Sequence, residues 1–368
     1  MKKLALLTNS IAPYRLPLYA SLAKAFDTLV LHGGSEPNRT WAVDVPRTFK
    51  VRKVFTIQIP LRKQTGVPGV IDTSYVHLNL GLVWELFLFR PDVILSHEMG
   101  LRTVIALVYG KLAGVPVWVG WEGTLHSERH ITKSRSLLRK AIVRHASRWI
   151  SYGVTTTEYL ESIGVARSQI LQIQNCVPQE TFLAIPSSQT DWFKDKPRPV
   201  IVSVGQLIQR KGLDKLIEAC GRLVARGKDF TLVIVGQGPE RDRLIELAQK
   251  RHIENFVILP NQTQPVLNEI YRAADVFVFP TLEDVWGLVV NEAMWAGTPV
   301  LSSKYAGCAP ELLPEENIFD PMSAESFDAA LAQLFDGTVS KPDCRRLKTW
   351  QEVATMISRS LVAGSPLN

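Results

Sequence analysis

Short runs of β-branched and leucine residues alternate with amphipathic stretches along most of this chain, and the alternation occurs twice. This pattern is typical of βαβ units, in which helices connect parallel strands and cover both faces of a sheet. In the first half, strands are predicted at residues 4–8, 28–32, 92–96, 115–120, 149–153 and 170–175. In the second half they are predicted at residues 200–204, 231–235, 256–259, 275–279 and 299–302.

A polar, proline-bearing segment without an apolar period separates the two halves. We therefore predict an N-terminal Rossmann-like domain over residues 1–186, a linker over 187–199 and a second Rossmann-like domain over 200–344. A chain of 368 residues is long enough for two such cores. Ligands of open α/β sheets lie beyond the carboxyl ends of the strands, so the chemistry is expected in strand-end loops.

The formal net charge of +7 favours anionic partners such as nucleotide diphosphates or acidic lipids, and we do not expect nucleic acid to be one of them. The four cysteines show no metal-ligand spacing, which indicates a reducing compartment and no metal site. No apolar stretch reaches the roughly 20 uninterrupted residues of a membrane-spanning helix. The expected location is the cytoplasm.

A lysine follows the first predicted strand of the second domain. Gly205 permits a tight turn at the end of this strand, and Lys211 precedes a segment with helical apolar spacing. A fixed ammonium beside a helix N-terminus stabilises the charge of a departing diphosphate. The segment is equally compatible with a surface turn that opens a helix.

Two carboxylates flank the predicted start of another helix. Asp284 and Glu292 are eight residues apart, so both can lie on one side of it. Asp284 is suited to hold sugar hydroxyls and Glu292 to accept hydrogen bonds from ribose, while the backbone N–H groups of Trp286, Gly287 and Leu288 are expected to be free for phosphate or sugar oxygens. Alternatively, Asp284 is an N-cap and Glu292 a solvated helix residue.

The second half resembles the donor domain of glycosyltransferase family 4. It shares, in order, the segments SVGQLIQRKGLDKLIEA, LVIVGQGPERDRLIELA, VILPNQ, IYRAADVFVFPTLEDVWGLVVNEAMWAGTPVLSS and AGCAPELL. The resemblance implies an α/β fold of the GT-B type, in which two Rossmann-like domains face each other across a deep cleft and the C-terminal segment 345–368 forms a helix that crosses back to the first domain. It further implies a retaining transferase that moves a hexose-type sugar from a nucleoside-diphosphate sugar to a hydroxyl of a glycan, lipid-linked or small-molecule acceptor, with no cofactor.

By the same resemblance, Asp284 touches the donor sugar, Glu292 touches the ribose, and Lys211 touches the diphosphate. The loop from Leu259 to Asn261 borders the nucleotide base.

The chain departs from the family pattern at two positions. The family motif Glu-x7-Glu begins here with Asp284, and Gln206 stands where an arginine is common. Because Gln206 brings no charge, diphosphate stabilisation would depend on Lys211 and Arg210. These departures leave two alternatives, a catalytically silent partner protein that binds a nucleotide sugar or glycan, and a sugar-nucleotide epimerase of the same fold. No Asp-x-Asp occurs in the sequence, so transfer is expected to be metal-independent.

Two loops of the first domain carry candidates for the acceptor side. Tyr14 and Arg15 precede a predicted helix with Pro17 in its first turn, and they resemble the family's entry to this helix, although a structural cap is equally compatible. Glu122 and His126 follow the strand at residues 115–120. Either one orients the donor sugar or the acceptor hydroxyl, or both are ordinary loop side chains.

Residues 129–148 form a basic amphipathic segment whose apolar stripe is predicted at Leu138, Ala141 and Ile142. Such a helix either rests on an anionic membrane surface, as a peripheral protein on the inner face, or is the solvated face of a Rossmann helix. The basic residues are Arg129, Lys133, Arg135, Arg139, Lys140, Arg144 and Arg148.

Overall fold

The computed structural model describes residues 1–34, 46–64, 71–185 and 192–367. The chain divides into two compact units. Unit 1 contains the described residues up to Val177 and those from Lys348 onward, and unit 2 contains those from Pro178 to Leu347.

Unit 1 is built on a parallel sheet. Its described strands are β1 (Lys3–Thr8), β2 (Asp27–His32), β3 (Lys50–Lys53), β4 (Ile57–Gln64), β5 (Ile71–Leu78), β6 (Val93–His97), β7 (Val117–Trp121), β8 (Trp149–Tyr152) and β9 (Ile170–Ile173). The parallel sheet has the order β3-β2-β1-β6-β7-β8-β9, and β4 and β5 form a separate antiparallel pair. The central strands are buried along almost their whole length, which explains their continuous apolar sequences.

Helices cover both faces of this sheet. They are α1 (Leu16–Ala25), α2 (Leu82–Phe89), α3 (Leu101–Ala113), α4 (Lys133–His145) and α5 (Val154–Ser162). Pro17 lies in the first turn of α1, as predicted, where its missing N–H removes no helical hydrogen bond. Leu18, Tyr19 and Leu22 form the buried side of this helix.

Unit 2 is a second parallel sheet with its own helices. The strands are β10 (Val200–Val204), β11 (Thr231–Val235), β12 (Phe256–Leu259), β13 (Val276–Phe279), β14 (Val300–Ser303) and β15 (Ile318–Phe319). They have the order β12-β11-β10-β13-β14-β15. The helices are α6 (Gln179–Leu183), α7 (Leu213–Ala225), α8 (Arg241–Lys250), α9 (Gln264–Ala273), α10 (Leu288–Trp295), α11 (Ala309–Leu312) and α12 (Ala324–Asp336).

The last helix, α13 (Trp350–Ala363), belongs to unit 1 and packs against α1. A capping box starts it, because the Thr349 hydroxyl accepts a hydrogen bond from the Glu352 N–H and the Glu352 carboxylate accepts one from the Thr349 N–H. Val353, Ile357 and Leu361 are buried in the same core as the α1 side chains.

Each sheet reverses its strand order once. The reversal lies between β1 and β6 in unit 1 and between β10 and β13 in unit 2. At such a switch point the loops leave the two strands in opposite directions and open a crevice for ligands. Ligand-binding residues are therefore expected in the loops after these four strands.

The predicted strands are all present, within a few residues of their predicted ends. The described part of the segment predicted as a linker belongs to unit 2. Trp192 donates a hydrogen bond to Glu269 over 3.0 Å, and Phe193 is buried, so these residues pack onto unit 2. Residues 187–191 of the predicted linker lie outside the described residues. The chain passes from unit 1 to unit 2 earlier, between Val177 and Pro178.

Candidate functional site

An ion pair joins the two loops at the switch point of unit 2. Lys211 ends a short 3-10 turn after β10, and Asp284 follows β13. The Nζ atom of Lys211 lies 2.6 Å from Oδ2 of Asp284, and both side chains are 15% exposed. Residues 73 positions apart are thus brought together where a parallel sheet binds its ligands.

The turn that carries Lys211 is locked to the segment after β13. Gly212 has a φ of 64°, and a Cβ there would lie 2.2 Å from the carbonyl oxygen of Pro280. The Leu282 N–H also donates to the carbonyl of Arg210 over 2.9 Å. Only glycine meets both conditions at residue 212, so the Lys-Gly pair places the lysine through backbone geometry.

Asp284 is held by its backbone and by both carboxylate oxygens. Its N–H donates to the Tyr305 carbonyl, and its own carbonyl accepts from the Gly307 N–H. Oδ1 accepts the backbone N–H of Trp286 over 3.2 Å, while Oδ2 accepts from Lys211. The prediction that the Trp286 N–H is free for a ligand is therefore wrong, because the aspartate folds back onto its own turn.

Helix α10 begins directly after this turn. Its N-cap, Gly287, has a φ of 101°, and a Cβ there would lie 2.6 Å from the ring of Phe279. Asp284 is thus not the N-cap. No described residue accepts a hydrogen bond from the backbone N–H of Gly287 or Leu288. These two N–H groups, at the positive end of the helix dipole, retain the capacity to bind an anion.

The charges of the pair are set by burial and by each other. Burial lowers the pKa of the Lys211 ammonium, Asp284 opposes this change, and the neighbouring Arg210 adds to it. Burial alone would raise the pKa of Asp284, but Lys211, Arg210 and the Trp286 N–H together bring it below its ordinary value. At neutral pH we expect a lysinium and an aspartate.

Glu292 lies on the second turn of α10 and is partly buried. The buried hydroxyl of Tyr271 donates to its Oε2 over 3.1 Å. Burial raises the pKa of Glu292 to about 7, and the Tyr271 hydrogen bond only partly opposes this. The alternative of a plain solvated helix residue does not fit a carboxyl group in this environment.

The remaining donor-side predictions lie at neighbouring strand ends. Leu259 ends β12, and its carbonyl accepts the Gly236 N–H over 2.9 Å. The Asn261 amide donates to the Gln237 side chain over 3.2 Å. Gln206 is exposed directly after Gly205, and Arg210 donates to the carbonyl of Glu283 over 2.8 Å.

The backbone also requires a glycine at Gly236, after β11. A Cβ on Gly236 would lie 1.9 Å from the Gly205 carbonyl oxygen. A Cβ on Gly205 would meet only the Lys211 side chain, at 3.8 Å, and Gly205 has no positive φ. Gly205 was predicted to permit a tight turn, but the backbone does not require glycine there, whereas it does at 236.

In unit 1, Arg15 connects the loop after β1 to the ends of β6 and β7. Its guanidinium forms a hydrogen-bonded ion pair with Glu122 and lies 3.2 Å from Nδ1 of His97. Its carbon Cζ lies 5.1 Å from the centre of the Tyr152 ring and 5.8 Å from that of Tyr14. The structure thus brings together three of the predicted acceptor-side residues.

His97 is neutral in this arrangement. Burial lowers the pKa of His97 well below its ordinary value, and the cations Arg15 and Arg102 lower it further. Because Arg15 can only donate, Nδ1 of His97 accepts and the proton sits on Nε2. A Cβ on Gly120 would lie 2.8 Å from Nδ1, so the glycine makes room for the imidazole.

Sequence reasoning missed a cluster at the switch point of unit 1. Asn9 follows β1 and donates over 2.7 Å to Glu98, which follows β6. Arg102, which is buried, donates to Asn9 and lies 3.6 Å from the Glu98 carboxylate. Glu98 has a φ of 70°, an uncommon conformation for a non-glycine residue, and its side chain is 60% exposed. The sequence does show a polar residue directly after each of these two strands. This signal cannot be interpreted until the strand order shows that the two strands are neighbours.

The other first-domain candidates take separate places. His126 lies in the turn after Glu122, where its carbonyl accepts a hydrogen bond from Arg129. In the basic segment, Arg139 is buried, pairs with Glu128 over 2.5 Å and lies 4.6 Å from the ring of Trp121. Its assignment to the basic outer face is wrong, because this guanidinium fills the core between α4 and α5.

The prediction that Ala141 belongs to the apolar stripe is also wrong, since Ala141 is exposed, whereas Ile142 is buried as predicted. Arg148 donates to the carbonyl of Gly364.

Within the described ranges, no helix is both long enough and apolar enough to cross a bilayer.

Two kinds of comparison place the chain among known proteins. Residues 185–349 match the family described as glycosyl transferases group 1. The 2-deoxystreptamine glucosyltransferase of Streptomyces kanamyceticus is 28% identical over 271 residues, which cover 67% of this chain and 69% of that protein. The D-inositol 3-phosphate glycosyltransferase of Nocardia farcinica is 38% identical over 272 residues, which cover 69% of this chain but only 56% of that protein.

Solved structures resemble the whole chain. Sucrose-phosphate synthase from Thermosynechococcus elongatus superposes with a TM-score of 0.70 at 18% identity, covering 98% of this chain and 95% of that one. Anabaena HepE in complex with UDP gives a TM-score of 0.69 at 17% identity, with the same coverage of both chains. The α/β fold of the GT-B type is thereby confirmed. The matches do not favour the silent partner protein or the epimerase.

Proposed function

We propose that this glycosyltransferase transfers a hexose-type sugar from a nucleoside-diphosphate sugar to an acceptor hydroxyl, with retention of the anomeric configuration and without a metal ion. The proposal rests on one observation above the others, the Lys211–Asp284 pair at the switch point of unit 2. A buried cation there is matched to a leaving group that gains negative charge as its bond to the sugar breaks.

Asp284 fixes the lysine and prepares it for the diphosphate. Its carboxylate keeps the Lys211 side chain in one position and favours the ammonium form. The N–H groups of Gly287 and Leu288 supply further positive potential from the helix end. Because these groups are in place before the donor arrives, little reorganisation is needed when charge develops.

Further residues of unit 2 are suited to the rest of the donor. Glu292 offers a carboxylate to the ribose hydroxyls, and the strand-end residues Leu259 and Asn261 border the base. HepE, which shares the fold, binds UDP. We therefore assign a uridine diphosphate sugar as the donor class to be tested first.

We assign acceptor binding to unit 1, to the residues that cluster after β1, β6 and β7. Arg15 and Glu122 are joined directly, and Glu98 presents a largely exposed carboxylate. The two relatives are named for small polyhydroxylated acceptors, a deoxystreptamine and an inositol phosphate. A hydroxyl-rich acceptor suits such a polar cluster, and the class extends to glycans and lipid-linked sugars.

The reaction needs no protein nucleophile. The bond between the anomeric carbon and the diphosphate oxygen breaks, the acceptor oxygen bonds to the same face of that carbon, and the acceptor proton passes to the departing phosphate. Lys211 carries the charge of the leaving group during this step. No side chain changes its covalent state.

A donor-hydrolysis panel tests the proposal. UDP and GDP sugars are incubated with the protein, and release of nucleoside diphosphate is measured for the wild type, Lys211→Ala and the control Lys215→Ala. Lys215 lies two residues into α7 and pairs with Asp214 and Glu218, outside the switch point. Slow release that Lys211→Ala abolishes and Lys215→Ala preserves is expected. Tight donor binding without release would contradict an enzymatic role.

Two additions test the finer points. Turnover in EDTA, with and without added Mn²⁺, tests metal independence, and loss in EDTA with recovery in Mn²⁺ would contradict it. NMR of the first-formed product gives its anomeric configuration. An inverted anomer would contradict retention while leaving the donor assignment intact.

A further inference from the structure

Helix α2 is apolar at every position except Glu85, although it lies at the surface of unit 1. Leu82 and Leu86 point into the core and are fully buried. The opposite side carries four large exposed residues, Val83, Trp84, Phe87 and Leu88. A helix with so few polar residues is normally buried, and the outer side of α2 has no cover within the described part of the chain.

The exposed surface continues onto α3. The Phe87 ring packs edge-on against Tyr109, with 5.3 Å between ring centres. Beside it, α3 exposes Val108 and Leu112, the latter 78% exposed. We call Trp84, Phe87, Leu88, Val108 and Leu112 the α2–α3 face. Contiguous apolar surface of this kind on a folded protein marks an interaction site.

The edge of this face is basic. Arg90 is the C-cap residue of α2 and Lys111 precedes Leu112, and both are exposed. Lys3 lies with its Nζ 5.5 Å from the Phe89 ring. The carboxylate of α2, Glu85, is neutralised by Arg52 over 2.6 Å, and α3 contains no acidic residue.

We propose that the α2–α3 face docks onto an anionic lipid bilayer, with Trp84 and Phe87 inserted at the level of the headgroups. Tryptophan, phenylalanine and leucine with lysine and arginine at their edge are the combination that interfacial helices use. The basic edge complements anionic headgroups. A second copy of the chain fits less well, since twofold pairing of the same face brings one basic edge toward another.

This surface differs from the basic segment that the sequence suggested. On α4, Arg139 is buried. The remaining cations surround an outer side of the helix that carries one large exposed apolar residue, Leu137. Charge alone attracts a protein to a membrane weakly and falls away with salt. The α2–α3 face combines apolar area with charge, and its docking does not depend on the donor chemistry proposed above.

Vesicle sedimentation tests the proposal on the full-length chain. Vesicles of phosphatidylcholine and phosphatidylglycerol at a ratio of about 7 to 3 are compared with pure phosphatidylcholine at low salt, as a test of charge attraction. We expect the wild type to sediment with the anionic vesicles, and the double variant Trp84→Ser/Phe87→Ser to show a partition coefficient at least about tenfold lower. Leu88→Ser/Leu112→Ser, which leaves the Phe87–Tyr109 contact intact, is expected to behave like the first variant.

The controls separate this face from others. Leu125→Ser/Leu137→Ser removes two exposed leucines elsewhere in unit 1 and is expected to bind like the wild type. The proposal would be overturned by equal binding of the wild type and both face variants or by no binding of the wild type. It would also be overturned by binding that is lost only in Lys140→Glu/Arg144→Glu. A wild-type dimer in light scattering that the face variants abolish would assign the face to a second copy instead. Donor hydrolysis by the face variants is expected to stay at the wild-type rate, so a failure here is distinct from a failure of the proposed function.

Discussion

Lys211 and Asp284 lie 2.6 Å apart and join the loop after β10 to the loop after β13. Asn9 and Glu98, 2.7 Å apart, make the equivalent connection between the loops after β1 and β6. Both pairs occupy the point where the strand order of their own sheet reverses. Each Rossmann-like unit therefore places charged and polar side chains from two non-consecutive strands at the position where such sheets bind ligands.

Replacing Asp284 by asparagine is expected to make activity more sensitive to alkaline pH. Asp284 raises the pKa of Lys211 against the effect of burial, so removing its charge lets that pKa fall further below 10.5. The ammonium form is the active one, and the alkaline limb of the kcat/KM profile moves to lower pH. At neutral pH we expect a loss of about 10- to 100-fold. A profile measured between pH 6 and 10 checks this.

The control for Asp284→Asn is Glu283→Gln, which changes the adjacent carboxylate. The Arg210 contact there is to the Glu283 backbone carbonyl, which the substitution retains. If the alkaline limb of the Asp284→Asn profile were unshifted, the ion pair would not control the pKa of Lys211.

Glu292→Gln is expected to stabilise the protein above pH 7 and to weaken donor binding. The folded-state pKa of about 7 lies above the ordinary 4.5, so the folded protein holds an extra proton between these values and wild-type stability falls as pH rises through that window. The gain in the variant is at most about 3 kcal/mol above pH 7 and vanishes below pH 4.5. Urea unfolding at pH 4.5 and 8 measures it, with Glu246→Gln, at an exposed position of α8, as the control.

Donor binding gives the second readout for Glu292. Wild-type donor KM should rise as pH falls below about 7, where the carboxylate that we assign to the ribose hydroxyls becomes protonated. The glutamine variant should have a higher KM with no such dependence. A pH-dependent KM in the variant would assign the titration to another group.

Gly236→Ala is expected to damage the donor loop, whereas Gly205→Ala is tolerated. The new Cβ at 236 would lie 1.9 Å from the Gly205 carbonyl oxygen, so the ends of β10 and β11 must separate. At 205 the nearest atom is 3.8 Å away. We expect Gly236→Ala to lose about 1–3 kcal/mol of unfolding free energy and most donor affinity. Urea unfolding and calorimetric donor titration compare the two, and equal effects would refute the assignment.

The sequence predicted the central strands well because each is buried on both faces and reads as a continuous apolar run. It missed β3, whose residues Lys50–Lys53 are mostly exposed at the edge of the sheet and show no such run. It also missed β15, which has two residues and no detectable period.

The candidate site was predictable in part. Lys211, Asp284 and Glu292 were predicted as site residues from local patterns and family resemblance. Their contacts were not, because the Trp286 N–H is taken by Asp284 and the Tyr271 hydroxyl reaches Glu292 from another helix. Asn9 and Glu98 are 89 residues apart, and only the strand order brings them together. The sequence pattern identifies side chains that are capable of the chemistry, whereas the tertiary structure determines which of them come into contact.

Glu98→Gly is expected to be more stable than Glu98→Ala, while both variants impair acceptor use. Both lose the contacts of the carboxylate with Asn9 and Arg102, but glycine also relieves the strain of a Cβ at a φ of 70°, for a difference of about 1 kcal/mol. The same change removes the carboxylate that we assign to the acceptor, so acceptor KM should rise about tenfold or more while donor hydrolysis is unchanged. Glu98→Ala separates the two effects, because it loses the carboxylate but keeps the strained backbone. His252→Gly, at a φ of 55° in unit 2, should gain stability without any change in acceptor KM. If Glu98→Ala retained the wild-type acceptor KM, the Glu98 carboxylate would have no part in acceptor binding.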